Sequence, residues 1–254
     1  FKILINTKAI MLLSIITPTY NSEKSIDDCL NSVTSCKLDS YEHIIIDNIS
    51  KDNTLKIINN FQSKKIKVLS KKDKGIYNAM NIGAKLARGK YIMFLNSDDI
   101  IINNKFFKTF KKIVSDRDID ILYSNIIYQK NFFKITRKYF PGKFIYKKIL
   151  DGWHPPHTGL IVKRNFFLKF MYDEQFHIAS DYDFFIKVFK LKKIKVFYYN
   201  KINFLMGLGG KSDGFFGLIK GNYECYKSLK KNKYKKPALT IIKKIFFKIT
   251  QFYN

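Results

Sequence analysis

The stretch DKGIYNAMNIGAKLARGKYIMFLNSDD, residues 73–99, joins a helix to a buried strand that ends in two adjacent acids. GIYNAMNIGAKLARG (75–89) is predicted to be a helix that stops at its last glycine, and YIMFLN (91–96) is predicted to be a strand. Adjacent carboxylates repel each other, so this arrangement costs free energy unless a cation or hydrogen-bond donors face it. Asp98 and Asp99 are therefore the first candidates for a functional site.

Apolar strands and helices alternate through the first hundred residues. The predicted strands are 12–20, 41–48, 65–70 and 91–96, and the predicted helices include one capped by Ser22 and one capped by Ser50. Continuously apolar strands separated by helices of about ten residues or more indicate a parallel sheet covered on both faces. Ligands bind such sheets at the carboxyl ends of the strands. We therefore expect the polar clusters 17–21, 47–52 and 96–99 to share one crevice.

The composition excludes several classes of protein. With 254 residues and 46% hydrophobic content, the chain can bury a substantial core, which excludes a disordered protein. It has no apolar run of about eighteen residues and no signal-peptide pattern. Its three cysteines, Cys29, Cys36 and Cys225, show no metal-ligand spacing and suit free thiols in a reducing compartment. We expect an intracellular protein that starts at Met11, with no fold role for residues 1–10.

The charge is strongly positive, because 47 Lys and Arg outnumber 20 Asp and Glu, for a formal net charge of +27. Such an excess indicates an anionic partner: nucleic acid, phosphorylated small molecules or an anionic membrane surface. After the basic run KSLKKNKYKK and Pro237, one helical face is apolar, with Lys243, Lys244 and Lys248 off it. The residues of that face are Ala238, Leu239, Ile241, Ile242, Ile245, Phe246, Ile249 and Phe252. The pattern is typical of an interfacial helix on anionic lipid; a helix packed on the domain core is the alternative.

Four motifs of the chain resemble, in order and spacing, the family 2 glycosyltransferases of bacterial polysaccharide synthesis. They are SIITPTYN (14–21), IIIDNISKDNT (44–54), the stretch 73–99, and ASDYD (179–183). The resemblance covers about 12–212 and implies the GT-A fold, which is an α/β, Rossmann-like, mixed but mostly parallel sheet flanked by helices. It implies a nucleotide-binding half at 12–99 and an acceptor-binding half at 100–212. Residues 213–254 then form a basic, amphipathic helical extension.

The resemblance places donor-binding residues in three loops. Thr17, Pro18 and Tyr20 match the loop around the nucleotide base, with the tyrosine ring placed to stack on it. Asp47 matches the acid that accepts from the base edge, although an Asx-turn with Asn48 is also compatible. The matches in the segment that passes under the nucleotide and the donor sugar are Asp73, Gly75, Asn78 and Asn81.

The motif NSDD matches the metal-binding DxD region of the family. Asn96 stands where the family usually has Asp, so one negative charge is missing, but its amide can still bind a ribose hydroxyl or a water. Ser97 belongs to the same match. Asp98 is the first candidate ligand for Mn²⁺ or Mg²⁺ and Asp99 the second, because both cations prefer oxygen ligands. A turn in which Asp98 caps a following helix is the alternative.

The motif ASDYD matches the acid pair that ends in the catalytic base. Ser180 replaces the first acid and Asp181 aligns with the base, which takes the acceptor proton while the acceptor oxygen attacks the anomeric carbon. Asp181 as an ordinary acid at a helix start is the alternative, and Asp183 is the second candidate base. His157 matches a histidine near the donor diphosphate or the acceptor. Lys211, in GLGGKS, matches a flexible flap over the donor phosphates, and a plain Gly-rich turn is the alternative for that loop.

Together these matches imply a metal-dependent, inverting glycosyltransferase. The sugar would move from a nucleotide-diphosphate sugar, UDP-linked by preference, to a glycan or lipid-linked acceptor, with the enzyme cytoplasmic and peripheral on the inner face of the membrane. A nucleotidyltransferase with the same metal crevice usually has a Gly-rich basic loop after the first strand, which TPTYNSEKS lacks. A nucleic-acid-binding module is disfavoured because the aromatic residues follow core patterns and the acid clusters repel phosphate, so we expect no nucleic-acid partner.

Overall fold

The computed structural model describes residues 11–61, 63–130, 134–191, 193–209 and 214–250. The predicted flap residue Lys211 and residues 1–10 lie outside this part of the chain.

The described residues form strands and helices that alternate regularly through the first half of the chain. The strands are β1 (Leu13–Thr19), β2 (Tyr41–Asp47), β3 (Ile66–Ser70), β4 (Tyr91–Phe94), β5 (Ile100–Ile101), β6 (Ile121–Lys130), β7 (Lys134–Tyr139), β8 (Ile161–Lys163) and β9 (Val196–Gly207). The helices are α1 (Ile26–Thr34), α2 (Thr54–Asn60), α3 (Ile76–Leu86), α4 (Phe106–Asp116), α5 (Tyr146–Ile149), α6 (Arg164–Phe170), α7 (Ser180–Val188), α8 (Gly214–Lys231) and α9 (Pro237–Thr250).

All these strands join one nine-stranded sheet in the described part of the chain. Its order is β3-β2-β1-β4-β8-β6-β9-β5, and β7 pairs with β6. Strands β3, β2, β1 and β4 are parallel neighbours, β8 is antiparallel to both β4 and β6, and β9 is parallel to β6. The predicted mixed, mostly parallel sheet is therefore confirmed.

Alternate residues of the central strands enter two separate cores, which explains why these strands read as continuously apolar. Ile15 and Met93 pack with α1 and α4 on one face of the sheet. Ile16 and Phe94 pack with α3 and α7 on the other. Because helices cover both faces, each position of β1 and β4 is withdrawn from water.

Two predicted helix starts are wrong. The first helix begins at Ile26 instead of directly after Ser22. The second begins at Thr54, because the Ser50 hydroxyl donates a hydrogen bond to Asp47 (2.5 Å) and does not cap the helix. In both cases the serine belongs to the loop that follows a strand: the Ser50 hydroxyl bonds within its loop, and the Ser22 hydroxyl bonds to Ser97 of another loop.

The predicted stop of the third helix is also wrong, and Gly89 has a different role. The helix ends at Leu86, and Gly89 lies against β1, where its N–H donates to the Ser14 hydroxyl at 2.8 Å. A Cβ on Gly89 would lie 2.5 Å from the Ser14 backbone nitrogen. The glycine is therefore required by the close approach of two backbone segments.

The segment interpreted as irregular, 130–150, contains β7 and α5, and the strand predicted over 157–164 is reduced to the three residues of β8. Strand β7 forms because it pairs antiparallel with β6. The two strands are consecutive in the chain, but the basic and polar residues of KITRKY do not show the continuous apolar pattern by which the other strands were predicted.

The C-terminal helices pack on the domain. Helix α8 contacts α7, and α9 lies against α8 and the turn after α5. The Thr240 hydroxyl donates to the Leu150 carbonyl at 3.1 Å. Gly152 has φ +80°, and a Cβ there would lie 2.3 Å from the Lys244 Cβ. Among the described residues, no helix is both long and apolar enough to cross a membrane.

Candidate active site

The polar loops after β1, β2 and β4 meet at one edge of the sheet, as the parallel arrangement predicts. The hydroxyls of Ser22, after β1, and Ser97, after β4, are hydrogen-bonded at 2.8 Å. The Asn48 side-chain carbonyl, after β2, accepts from the Asp73 N–H at 2.8 Å. These bonds tie four separate segments into one crevice.

The first loop presents a tyrosine ring. Tyr20 is 54% exposed directly after β1, so its ring is available for stacking. Thr17 and Pro18 are buried, and the Thr17 hydroxyl is hydrogen-bonded to His43 Nε2 at 2.8 Å. The Thr17 hydroxyl is thus engaged with His43 and does not face a base. The roles of Pro18 beside the base and of the Tyr20 ring in stacking stay predictions.

The carboxylate of Asp47 is held by its own loop and by β3. It is fully buried and accepts from the Ser50 N–H (3.1 Å) and hydroxyl (2.5 Å) and from the Ser70 hydroxyl (2.6 Å). A local side-chain to backbone turn is thus present, as the alternative interpretation required. Recognition of a base edge by Asp47 stays a prediction.

The start of α3 is shaped by Asp73 and Gly75. Asp73 Oδ1 accepts from the Gly75 N–H at 2.7 Å, and Gly75 has φ +121°, a conformation that favours glycine. Asn78 Oδ1 accepts from the Lys74 N–H at 3.2 Å. This turn leaves the backbone at the start of α3 open to the crevice, in the place where the resemblance puts the donor.

Asn81 has a different role from the predicted one. Only 3% of it is exposed, and its Nδ2 donates to the Tyr172 carbonyl (2.9 Å) and to Glu174 (3.0 Å). Its Oδ1 accepts from the Tyr172 N–H at 3.1 Å. Because its amide is used in this way, Asn81 anchors the loop before α7 and does not face the nucleotide.

The second acid of NSDD holds the loop after β4. The Asp99 carboxylate is fully buried and accepts from the Asn96 N–H (3.0 Å), the Thr158 hydroxyl (3.0 Å) and the Gly207 N–H (3.2 Å). Burial and the charge of Asp98 raise the pKa of Asp99 well above its ordinary value. Asp99 thus ties the acid loop to β9, and its role as second metal ligand stays a prediction.

The alternative in which Asp98 caps a following helix is excluded, because the element that follows the acid loop is strand β5.

The first acid of NSDD has oxygen atoms available. Burial raises the pKa of Asp98, and apart from its own backbone N–H the described residues form no hydrogen bond to its carboxylate. Asn96 Oδ1 is buried beside it with no partner in the described part of the chain. These oxygens fit a hard cation such as Mg²⁺ or Mn²⁺. No group of three His, Cys, Asp or Glu that could hold a metal occurs among the described residues, so further ligands would have to come from substrate phosphates or water.

Gly207 at the end of β9 sets the position of Asp98. A Cβ there would lie 2.6 Å from Asp98 Oδ2 and 2.7 Å from the Asp98 carbonyl oxygen. We expect Gly207→Ala to displace the carboxylate and to lower kcat/KM by roughly 100-fold, since an error of about 1 Å in a site has that effect. Steady-state kinetics of donor turnover measures it.

The matched control is Gly83→Ala in α3, where a Cβ would lie 2.4 Å from Ile16 Cγ2 in the core. Both variants should lose about 1–3 kcal/mol of unfolding free energy through overpacking. Both variants are assayed well below their melting temperatures. If Gly207→Ala and Gly83→Ala then have equal kcat/KM, Gly207 does not set the position of Asp98.

Asp181 lies in the first turn of α7 with its carboxylate oriented and partly exposed. Its Oδ1 accepts from the Tyr182 N–H at 2.8 Å and lies 3.1 Å from the Tyr77 hydroxyl. That hydroxyl also lies 2.8 Å from the Ile178 carbonyl oxygen. Asp181 is thus held in one orientation by groups that leave its other oxygen available.

Aromatic residues connect Asp181 to the acid loop. The ring of Tyr77, whose hydroxyl bonds to Asp181, lies 5.2 Å from the ring of Tyr172. The Tyr172 hydroxyl is hydrogen-bonded to His157, the residue before the Asp99 partner Thr158. On β6, burial raises the pKa of Tyr128, and the Arg137 guanidinium of β7 lies over its ring at 3.9 Å. Sequence reasoning missed this pair, because β7 lies in the segment that had no interpretable local pattern.

His157 lies in the wall of the same crevice. Its Nδ1 is hydrogen-bonded to the Tyr172 hydroxyl at 3.2 Å, and its Nε2 is buried with no partner in the described part of the chain. Burial lowers the pKa of His157, and the Asp181 charge opposes that shift. The neutral imidazole therefore has one nitrogen left for a ligand, and the predicted contact with the donor stays a prediction.

Asp183, the second candidate base, is corrected. It is fully buried and forms an ion pair with Lys187 at 2.5 Å. It also accepts from the Ser228 hydroxyl at 2.7 Å and from Asn232 Nδ2 at 3.0 Å. Asp183 therefore faces α8 and joins α7 to the C-terminal part of the chain.

Glu224 on α8 is a further residue that sequence reasoning missed. Only 6% of it is exposed, and its Oε2 accepts from the backbone N–H groups of Ile178 (2.8 Å) and Ala179 (3.0 Å), directly before α7. The C-terminal extension thus supports the turn that carries Asp181. The available signal was one acid between Tyr223 and Cys225 on an otherwise basic helix.

Three of the four histidines are buried in states that resist protonation. Burial lowers the pKa of His43 to about 3, and burial with the Lys244 charge lowers that of His154 to about 4; burial also lowers the pKa of His157. Below about pH 6.5 the unfolded chain binds protons that the folded chain does not. The free energy of unfolding should therefore fall as pH falls from about 6.5 towards 4, by about 1.4 kcal/mol per pH unit for each histidine.

Urea unfolding between pH 7.5 and 4.5 tests this dependence. His43→Gln should reduce the slope by about one proton, because its contribution is removed from both states. An unchanged slope would mean that His43 is protonated in the folded protein.

The sequence matches the family model described as "Glycosyl transferase family 2" over residues 14–194, which includes the three loops and Asp181. The chain belongs to this family. Among relatives of glycosyl transferase family 2, it is 33% identical to UDP-Glc:alpha-D-GlcNAc-diphosphoundecaprenol beta-1,3-glucosyltransferase WfgD of Escherichia coli, over 56% of each protein.

Two solved structures of low sequence identity share the fold. S. aureus TarS 1-349, in complex with UDP-GlcNAc, aligns with a TM-score of 0.66 and 22% identity over 87% of this chain and 65% of that one. The mannosyltransferase PcManGT of Pyrobaculum calidifontis, in complex with GDP-Man and Mn²⁺, aligns with a TM-score of 0.66 and 14% identity over 92% and 69%. The chain thus spans 56% of the length of WfgD and 65% of the length of the TarS segment.

Proposed function

We propose that this family 2 protein is an inverting glycosyltransferase that moves a sugar from a nucleotide-diphosphate sugar to a hydroxyl of a glycan or lipid-linked saccharide. The observation that carries the proposal is the shared crevice of Asp98 and Asp181. One carboxylate has free oxygens at the end of β4, and the other is oriented at the start of α7. The two are connected by contacts of their neighbours: Tyr77, which bonds to Asp181, packs on the ring of Tyr172, and the Tyr172 hydroxyl bonds to His157, next to the Asp99 partner Thr158.

The chemistry assigned to Asp181 follows from its contacts. Tyr77 and the Tyr182 N–H hold Oδ1, so Oδ2 is free to accept the proton of an acceptor hydroxyl as that oxygen attacks the anomeric carbon. The bond from the anomeric carbon to the nucleotide diphosphate breaks in the same displacement, and the configuration inverts. Asp181 then holds the proton, which it returns to solvent.

A divalent cation, Mn²⁺ or Mg²⁺, would be held by Asp98, with Asp99 and the Asn96 carbonyl as further candidates. When bound, such an ion neutralises the charge that develops on the leaving diphosphate. The protein's own part is to keep Asp98 in place, through Gly207 and the bonds of Asp99 to β9 and Thr158. Nucleotide binding is assigned to Tyr20, Asp47, Asp73, Gly75 and Asn78.

We favour a UDP-sugar as donor. WfgD is named for UDP-Glc, and TarS forms a complex with UDP-GlcNAc. The WfgD acceptor is a sugar on diphosphoundecaprenol, which supports a lipid-linked acceptor for this chain as well. The acceptor hydroxyl has to reach Asp181, so a lipid-linked acceptor requires the protein to lie on a membrane. We propose that the protein lies on the inner face of that membrane.

The test of the proposed function is release of nucleotide from UDP-, GDP- and dTDP-sugars with Mn²⁺, Mg²⁺ or EDTA. Metal-dependent release from one nucleotide class supports the proposal and names the donor, since water replaces the acceptor slowly. No release, together with no calorimetric binding of any nucleotide in the presence of metal, would refute it.

The membrane surface is proposed to be the exposed apolar side of α8 and α9. The exposed apolar residues are Phe215, Phe216, Leu218, Ile219 and Tyr223 on α8, and Leu239, Ile242, Ile245, Phe246 and Phe247 on α9. A contiguous apolar surface with many lysines near it is typical of interfacial binding to anionic lipid. Helix α9 packs on the domain through Thr240, as the second sequence-based alternative expects, and other apolar residues of the helix stay exposed. Binding of these residues to lipid is our proposal.

We expect the double variant Phe216→Ser, Phe246→Ser to lose at least about tenfold in affinity for vesicles containing phosphatidylglycerol, because two aromatic rings no longer enter the lipid. The two rings are 85% and 65% exposed, so the fold should be unaffected. Co-sedimentation measures the affinity. The control is Val68→Ser, because Val68 lies on the edge strand β3 and is 41% exposed. If Val68→Ser loses as much vesicle affinity as the double variant, the apolar side of α8 and α9 is not the membrane surface.

A further inference from the structure

We infer that Lys244 on α9 binds the phosphate group that joins lipid to sugar in the acceptor, beside the base Asp181. The inference deepens the proposed function and rests on it, since it assumes that the acceptor hydroxyl lies at Asp181. It makes a lipid phosphate or diphosphate, and not a neutral glycolipid, the substrate class of this site.

The ammonium group of Lys244 is directed into the protein and meets no carboxylate in the described part of the chain. Its Nζ lies 3.2 Å from Asn222 Oδ1, which is a neutral partner. By contrast, the neighbouring Lys243 forms an ion pair with Asp151 at 2.6 Å on the outer side of the helix. The half-buried ammonium of Lys244 therefore has no ion-pair partner among the described residues and is available to an anionic ligand.

Lys244 lies against the residue that follows Asp181 on α7. Its Nζ is 5.4 Å from the ring centroid of Tyr182. The Tyr182 ring meets the His154 ring edge-on at 5.5 Å, and the Tyr182 backbone N–H donates to Asp181 Oδ1 at 2.8 Å. We therefore assign the hydroxyl of one acceptor to Asp181 and its phosphate to Lys244.

The same helix also determines where the lipid would be. Ile242, Ile245 and Phe246 are 51%, 42% and 65% exposed on the outer side of α9. Lys244 is thus placed between the apolar surface and the crevice. In a lipid-linked sugar the phosphate occupies this position, because it connects a tail in the membrane to a sugar in water. The backbone of α9 is fixed there by its packing on Gly152 and Leu150.

The test is calorimetric binding of farnesyl diphosphate, farnesyl phosphate and farnesol to wild type, Lys244→Gln and Lys243→Gln. We expect wild type to bind the diphosphate at least tenfold more tightly than farnesol, Lys244→Gln to lose at least tenfold for the diphosphate, and Lys243→Gln to change less than threefold. Equal affinity for all three ligands, or equal loss in the two variants, would overturn the inference.

Two further arms separate the possible sources of phosphate. Inorganic diphosphate should bind much more weakly than farnesyl diphosphate, and UDP affinity in the presence of Mn²⁺ should be unchanged in Lys244→Gln. Loss of UDP affinity would make Lys244 a donor residue and overturn the inference. A third outcome is that Lys244→Gln sediments less than Lys243→Gln with phosphatidylglycerol vesicles while its affinity for farnesyl diphosphate is unchanged. That outcome would assign Lys244 to lipid headgroups and would also overturn the inference.

Failure of this inference is distinguishable from failure of the proposed function. Donor hydrolysis by water does not involve the acceptor, so it is measured on the wild type and on Lys243→Gln, whose ion pair with Asp151 lies outside the site and which should keep the wild-type rate within about twofold. If wild type hydrolyses no nucleotide sugar, the proposed function fails, whatever the farnesyl ligands show. If hydrolysis is intact and farnesyl diphosphate binding is the same in Lys244→Gln, only the assignment of Lys244 fails.

Discussion

Asp181→Asn is expected to lower kcat for sugar transfer by about 1,000-fold and to leave donor affinity within about threefold of wild type. A general base contributes about 10²–10⁴-fold to such a reaction. Asparagine has the same shape, and its Oδ1 can still accept from Tyr77 and from the Tyr182 N–H, so the turn at the start of α7 should persist. Transfer kinetics and calorimetric binding of the nucleotide measure the two quantities separately.

The matched control is Asp183→Asn, two residues further along the same helix. Asp183 pairs with Lys187 and bonds to Ser228 and Asn232, away from the crevice. Removing one partner of a buried ion pair leaves an uncompensated charge, so this variant should lose about 3–5 kcal/mol of unfolding free energy. Its kcat, assayed while folded, should stay near wild type. A larger loss of kcat in Asp183→Asn than in Asp181→Asn would exchange the two assignments.

The second large effect is expected for Asp98→Asn, which should abolish the metal dependence of nucleotide binding and lower kcat/KM by about 100-fold or more. The substitution removes the one carboxylate of the acid loop that makes no hydrogen bond to another described residue. Charge and oxygen donors are what a hard cation requires, and an amide supplies only a neutral oxygen. Titration of UDP in the presence of increasing Mn²⁺ measures the coupling between the two ligands.

Asn96→Asp is the complementary variant for this site. It adds a carboxylate where Asn96 Oδ1 is buried and unpartnered in the described part of the chain. We expect tighter Mn²⁺ binding but lower stability without metal, because three acids then lie close together. If Asp98→Asn retains metal-dependent UDP binding, the ligand assignment is wrong, and Asp99 becomes the first candidate.

The sequence-based predictions agree best with the structure where the local residue pattern and the tertiary environment favour the same type of element. Strands β1, β2 and β4 are buried on both faces, so their residues are predominantly apolar, and this pattern predicted them; buried polar residues such as Ser14 and Glu42 bond to each other. The helix boundaries were less predictable. Ser50 is a common capping residue, but Asp47 offered its hydroxyl a partner that only the folded loop brings close.

The candidate site was predictable as a set of motifs but not as a set of contacts. The polar clusters 17–21, 47–52 and 96–99 lie at one sheet edge, as expected, and are joined by the bonds of Ser22 to Ser97 and of Asn21 to Ser50. The directions of individual side chains depend on neighbours that are distant in the chain: Asn81 turns to the Tyr172 segment, and Thr17 turns to His43.

The sequence by itself determined the fold class, the family and the acids at the strand ends, because these follow from apolar periodicity and from residues adjacent in the chain. The tertiary structure alone decided which acids have free oxygens. Asp99 and Asp183 are occupied by donors from β9 and α8, over a hundred and about forty-five residues away respectively, while Asp98 and Asp181 are not. It also joined the C-terminal extension to the site through Glu224. A hydrogen bond depends on distance and angle in space, and sequence separation places no limit on either.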